Sequence, residues 1–123
     1  MFEPFDIFTL RIKLHANSNV KLINEIMQSG FTRTDKHYWY HDTKVFCKDE
    51  SSSFFETYIK SLLVGKCCAL EQIGITKEDM MLEVEYHYDG QCNMEFLPEA
   101  SLLLGREGIG LTIRCIDEHV YNK

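Results

Sequence analysis

Alternation of apolar and polar residues predicts three strands in this chain. The first is a stretch in which Phe8, Leu10, Ile12 and Leu14 are separated by polar residues. Residues 80–88 repeat the pattern, and so does the segment from Ile109 to Cys115. A period of two places alternate side chains on opposite faces of a strand, so each segment predicts one buried and one solvated face.

Two hairpins are predicted from adjacent strand-like runs. Residues 37–48 contain two aromatic or apolar runs separated by Asp42-Thr43, which predicts a turn there. Residues 80–88 and 92–97 alternate on either side of Asp89-Gly90. A loop with an odd number of residues is favoured between them. A two-residue turn would place the core face of one strand beside the solvent-exposed face of the other.

Three helices are predicted from caps and apolar spacing. The first begins after Asn17-Ser18-Asn19 and ends at Gly30. The second begins at the capping-box pair Ser53 and Glu56 and continues to Gly74, with Gly65 as a weak point. The third begins at Pro98 and ends at the glycines Gly105 and Gly108.

These elements predict a single α+β domain over residues 1–123, with residues 117–123 as a frayed tail. The order is β-α-β-β-α-β-β-α-β, with a mainly antiparallel sheet of about six strands, two longer helices and one short helix. The predicted core residues are Leu10, Ile12, Leu62, Leu63, Val84, Tyr86, Leu111 and Ile113. Neither a membrane-spanning run nor a signal peptide is recognised, so we expect a cytoplasmic protein without membrane contact.

Charge is unevenly distributed along the chain. The net charge is −6, but residues 71–107 carry nine acidic residues against Lys77 and Arg106, a net of −7. Direct binding of nucleic acid requires a basic stripe, so this distribution argues against it and favours a basic partner.

No catalytic or metal-binding motif is recognised, and no cofactor is expected. The five cysteines are odd in number and include no Cys-x-x-Cys pair, which favours buried or reduced thiols over disulfides or zinc ligands. His37 and His41 share a strand face with Trp39, but the sequence supplies no third metal ligand. We therefore expect that the protein is not an enzyme.

The stretch Phe96-Leu97-Pro98-Glu99, followed by Leu102-Leu103 and by Gly108-Ile109-Gly110-Leu111-Thr112-Ile113, resembles the ending of an uncharacterised bacterial domain family. The early Leu10-Arg11-Ile12 strand and the long amphipathic helix are similar too. Such domains resemble immunity proteins of polymorphic-toxin systems, including contact-dependent growth inhibition. The resemblance implies a small acidic protein that neutralises a toxin domain by binding it.

The expected function is therefore that of an immunity protein that binds a basic toxin domain, such as a nuclease, through an acidic surface. The alternative is a non-catalytic cytosolic module that binds another protein or a small ligand. The predicted contact residues are acids on the 80–88 and 92–97 hairpin and beside it, with Trp39 as an exposed aromatic anchor. These acids are Asp79, Glu83, Glu85, Asp89 and Glu95.

Overall fold

In a computed structural model of the chain, the described residues form one mixed sheet of five strands. The described residues are 3–28, 33–46, 51–62, 65–90 and 98–118, of which 51–54 and 99 are described by their backbone only. The strand order is β2-β3-β1-β4-β5. The strands are β1 (Phe5–Lys13), β2 (Arg33–Thr34), β3 (Tyr38–Phe46), β4 (Met80–Tyr88) and β5 (Gly110–Asp117).

In the described part of the chain, four α-helices and one 3-10 turn accompany the sheet, so the α+β class is confirmed. The helices are α1 (Val20–Met27), α2 (Ser51–Leu62), α3 (Cys67–Gln72) and α4 (Pro98–Glu107), and the 3-10 turn spans Lys77–Asp79. The described part of the chain contains five strands and not the six predicted, and its order of elements differs from the prediction.

The central strand β1 pairs antiparallel with β3 on one side and with β4 on the other. Its alternation sorts side chains as predicted, with Phe8, Leu10 and Ile12 at most 1% exposed. These residues pack with residues of all four helices in one core. The helices therefore cover one face of the sheet, here called the helix side.

The predicted core is confirmed at five positions, and Leu63 lies outside the described residues. The confirmed residues are Leu10, Ile12, Leu62, Val84 and Tyr86. Leu111 and Ile113 were predicted wrongly, because they are 37% and 46% exposed. Their strand, β5, is the last strand of the described sheet, and the burial found on the helix side of β4 does not extend to it.

The predicted hairpin at Asp42-Thr43 is wrong, because β3 runs without a turn from Tyr38 to Phe46. Polar residues in mid-strand are normally a turn signal. Here Asp42 stays in the strand because its carboxylate accepts hydrogen bonds from Thr9 and Arg33. The short strand β2 is a partner of β3 that the sequence pattern did not reveal.

Strand β4 is confirmed, but its neighbours differ from the predicted ones. Both of its edges are occupied, by β1 and by β5, and the β5 pairing is parallel. The second strand of the predicted hairpin, residues 92–97, lies outside the described residues. A parallel neighbour requires a crossover connection, and α4 lies on that connection.

The long helix predicted up to Gly74 is divided into α2 and α3. Gly65 lies between them with a φ of +83°, a conformation that a helix interior does not accommodate. Among Asn17, Ser18 and Asn19, the residue that caps α1 is Asn19, whose side chain accepts a hydrogen bond from the Leu22 amide. The C-cap of α1 is Gln28 and not Gly30, which lies outside the described residues.

A pair of leucines tests the assignment of the core. Leu62→Ala removes a side chain that is 5% exposed in α2, whereas Leu102→Ala removes one that is 55% exposed in α4. We expect urea unfolding to show a loss of about 2–5 kcal/mol for the first change and less than about 0.5 kcal/mol for the second. Equal losses would contradict the described helix packing.

Candidate functional site

The sheet face opposite the helices carries mostly polar and charged side chains. In β1 the residues on this face are Ile7, Thr9 and Arg11, which alternate with the core positions. Thr9 lies opposite Asp42 and Glu83 in the two neighbouring strands. Residues opposite each other in a sheet share a face, so this register assembles one surface, here called the open face.

Asp42 lies at the centre of a hydrogen-bonded group on the open face. Thr9 donates from Oγ1 to Asp42 Oδ1 at 2.7 Å. Arg33 of β2 donates to the same carboxylate from Nε at 2.5 Å and from a terminal nitrogen at 3.2 Å. Partial burial opposes ionisation of Asp42, but the bonds from Arg33 and Thr9 outweigh it, and the pKa of Asp42 lies below its usual value.

Glu83 and Glu85 lie on the open face, and both carboxylates have cationic neighbours. Arg11 Nη1 is 3.0 Å from Glu83 Oε1, and Arg114 Nη1 is 3.6 Å from Glu85 Oε2. His87 Nε2 also lies 2.6 Å from Glu85. The surface is therefore a network of neighbouring carboxylates and arginines rather than the acidic patch that the sequence predicted.

A cavity of about 330 Å³ lies within this charged network on the open face. Its lining includes Thr9, three carboxylates and two guanidinium groups. The carboxylates are recessed, since the side chains of Asp42 and Glu83 are each 20% exposed and that of Glu85 is 30% exposed. The side chains of Arg33 and Arg114 are 54% and 62% exposed. Negative charge therefore lies deeper in the cavity than positive charge.

Aromatic rings extend the open face beside the cavity. The Arg33 guanidinium lies 3.9 Å from the centre of the Tyr40 ring, and the Arg11 guanidinium lies 5.0 Å from that of Tyr38. Such cation–π contacts hold long side chains in defined positions. The pKa of Tyr40 is raised by burial and by the nearby Asp35 carboxylate.

Trp39 was predicted as an exposed anchor, and its exposure was predicted wrongly. It is fully buried on the helix side, where its Nε1 donates to Asn24 Oδ1 at 2.8 Å. The error follows from the false hairpin, because one uninterrupted strand places Trp39 and Val45 on the same face. Continued alternation through Asp42 was the signal that could have identified Tyr38 and Tyr40 as the residues on the open face.

Two further predicted contact residues, Asp79 and Asp89, do not line the cavity. Asp79 ends the 3-10 turn, where it accepts a hydrogen bond from the Thr76 amide at 3.0 Å and contacts His15 Nε2 at 2.7 Å. Burial opposes ionisation of Asp79, yet these contacts leave its pKa below the usual value. Asp89 is exposed just after β4, and Glu95 lies outside the described residues.

A second cavity, of about 390 Å³, lies on the helix side among α1, α2 and β3. His41 and Tyr58 line it, with 3.0 Å between His41 Nδ1 and the Tyr58 hydroxyl. Burial lowers the pKa of His41 and raises that of Tyr58. Lys66, also in the lining, donates to the carbonyls of Met27 and Ser61 and so joins the carboxyl ends of α1 and α2.

The described residues contain no group of three or more His, Cys, Asp or Glu side chains arranged to hold a metal ion. Cys67, Cys68 and Cys115 are thiols. Burial, together with the nearby Glu107 carboxylate, raises the pKa of the Cys67 thiol to about 11.

The Asp42 carboxylate gives a pH-dependent test of the open face. Asp42→Asn should destabilise the protein by about 1–3 kcal/mol at neutral pH, because the carboxylate accepts bonds from Arg33 and Thr9. Since its folded pKa is depressed, this stabilisation is complete well above 3.8 and is lost as pH falls through the folded pKa.

Urea unfolding of both proteins at neutral and acidic pH measures this effect. The difference between them should shrink on acidification, while the control Glu25→Gln, on the exposed side of α1, should show little difference at any pH. A destabilisation by Asp42→Asn that does not change with pH would contradict the described bonding.

Comparison with known proteins finds no matching family model, no matching curated protein and no matching solved structure. Within the described ranges, no helix has both the length and the apolar character needed to cross a bilayer.

Proposed function

We propose that this chain is an immunity protein that acts in the cytoplasm, binding a cognate toxin domain with a basic surface through the open face. The observation that carries the proposal is the cavity of the open face, in which carboxylates are recessed and arginines are exposed. The net charge of −6 also favours a partner with a positively charged surface. Neither a cofactor nor a metal is part of the proposal.

A cationic group of the partner would replace the exposed Arg114 at small cost. Ion pairs between solvent-exposed side chains contribute about 0–1 kcal/mol, so the single 3.6 Å contact of Arg114 with Glu85 is a weak barrier to exchange. The recessed carboxylates of Asp42, Glu83 and Glu85 would then bind a lysine or arginine side chain of the toxin. Charge complementarity of this kind contributes more to association rate and specificity than to total affinity.

A toxin that cleaves nucleic acid fits this surface because its own substrate is a polyanion. Its substrate site must present cationic groups, and carboxylates on a rigid sheet would occupy them in place of phosphates. The tyrosines and arginines of the open face belong to the residue types that dominate binding energy at protein interfaces. Because Tyr40 and Arg33 already hold each other in place, binding would immobilise few new side chains.

The proposal keeps two of the acids predicted from the sequence, Glu83 and Glu85, and adds Asp42. It leaves out Trp39, which is buried, and Asp79, whose carboxylate caps the 3-10 turn. Contacts by Asp89 and Glu95 remain predictions.

Charge reversal tests the proposal directly. The toxin to test is the C-terminal domain of any large exoprotein whose gene lies next to the gene for this chain. Glu83→Arg with Glu85→Arg should abolish growth protection on co-expression and slow association by about tenfold or more in a stopped-flow or surface-binding measurement.

A matched control distinguishes an effect at the site from an effect of the changed net charge. Glu25→Arg with Glu71→Arg changes the net charge equally at exposed positions of α1 and α3, on the helix side, and should retain protection. Circular dichroism establishes that both variants are folded. Protection that survives the reversal of Glu83 and Glu85 would contradict binding through the open face.

Tyr40 takes the anchoring role predicted for Trp39. Tyr40→Ala should accelerate dissociation of the toxin complex about tenfold or more, with a small effect on the association rate. Lys36→Ala, an exposed change just before β3, serves as the control. An unchanged dissociation rate for Tyr40→Ala would exclude this ring from the interface.

The second cavity favours a second candidate function, that of a small-ligand-binding module. Its polar lining of His41, Tyr58 and Lys66 beside Met27 and Leu62 is typical of sites that combine apolar contact with a few polar groups. Ser61→Trp would narrow this cavity from an exposed position of α2 without altering the open face. A metabolite whose binding is lost in this variant, with toxin protection retained, would establish the ligand-binding function separately.

A further inference from the structure

The register of the open face sorts its side chains into rows that run across the strands. One row consists of Lys44, Ile7, Glu85 and Arg114, which lie opposite one another in β3, β1, β4 and β5. Three strand spacings, about 14 Å, separate the backbone positions of Lys44 and Arg114. This row, here called the Lys44 row, therefore has a cation at each end and one carboxylate between them.

The charges of the next row are both negative. It contains Asp42 of β3 and Glu83 of β4. Arg11 and Arg33 follow on its far side, where both lie opposite Tyr40. The acidic row therefore lies between two rows that contain cations, and cations flank the carboxylates of the cavity on both sides.

Lys44 and Arg114 are the cations of this surface that the described carboxylates neutralise least. The contacts of the Lys44 ammonium within the described residues are with the rings of Phe5 and Phe46, whose centres lie 4.0 Å and 5.0 Å away. Arg114 is 62% exposed and lies 3.6 Å from Glu85. A partner that offered only cations would bind Glu85 and leave Arg114 without a counter-ion.

We propose that the toxin domain which binds the open face carries carboxylates on both sides of the cation that enters the cavity. The inference rests on the proposed function and specifies the chemistry of the partner. The partner's cation would bind Glu85, the released Arg114 would pair with one carboxylate, and Lys44 would pair with another about 14 Å away. Ion pairs on both sides of the cavity would fix the orientation of the partner.

A single-stranded nucleic acid is the other occupant that exposed cations beside aromatic rings are suited to bind. Its phosphates would have to pass over Asp42 and Glu83 to reach the cations on both sides. Like charges brought together in this way oppose binding. The acidic row between the cations therefore favours a protein surface of mixed charge.

Reversal of the two outer cations tests the inference. Lys44→Glu with Arg114→Glu makes the chain more acidic by four charges, so a uniformly basic partner would bind more tightly. We expect instead that the dissociation constant for the same exoprotein domain rises about tenfold or more. Lys44→Gln with Arg114→Gln, which places no new carboxylate beside Glu85, should raise the constant as well.

A matched control and circular dichroism accompany these variants. Lys21→Glu with Arg106→Glu changes the net charge equally at exposed positions of α1 and α4, and it should not raise the dissociation constant. Circular dichroism establishes that each variant is folded.

Comparison with the reversal of Glu83 and Glu85 separates this inference from the proposed function. If both reversals weaken binding, both are supported. If only the acidic pair matters, the partner surface is uniformly basic, so the inference is wrong and the proposed function stands. If only the cations matter, or neither pair does, both are wrong. Binding of a fluorescent oligothymidylate that Lys44→Glu with Arg114→Glu abolishes would identify a nucleic acid as the occupant and overturn the inference.

Discussion

The position of β1 between β3 and β4 constrains both surfaces of the sheet at once. Its alternate residues supply Phe8 and Leu10 to the core and Thr9 and Arg11 to the open face. A shift of one residue against either neighbour would exchange these two sets and bury charge in the core. The apolar positions of β1 therefore fix the register that brings Asp42 and Glu83 to either side of Thr9.

Charge counts along the chain identified the acidic segment but not its cationic neighbours. Glu83 and Glu85 contact arginines from β1 and β5, which lie far from them in sequence. Such pairs become visible only once the strand order is known. The carboxylates and the guanidinium groups of the site differ in depth. A partner therefore meets positive charge at the surface and negative charge deeper in the cavity.

Much of the fold was predictable where one pattern dominated a segment. Strand β1 alternates from Phe8 to its end and β4 from Leu82 to its end, and Pro98 marks the start of α4. Prediction failed where a local signal was overridden by distant contacts, as at Asp42, whose hydrogen bonds keep it within a strand. Exposure of Ile113 was likewise beyond local patterns, since it depends on which strands are central and which lie at an edge.

The pairing of β1 with β4 has a consequence for synthesis on the ribosome. Leu10 pairs with His41 early in the chain, but its other neighbour, Leu82, emerges much later. Until then the nascent chain can complete the β1–β3 ladder but must leave the second edge of its central strand open. Folding with such distant contacts is slow, and an open apolar edge is a site of misassembly. The yield of folded protein in cells should therefore depend on the binding of chaperones to this incomplete sheet.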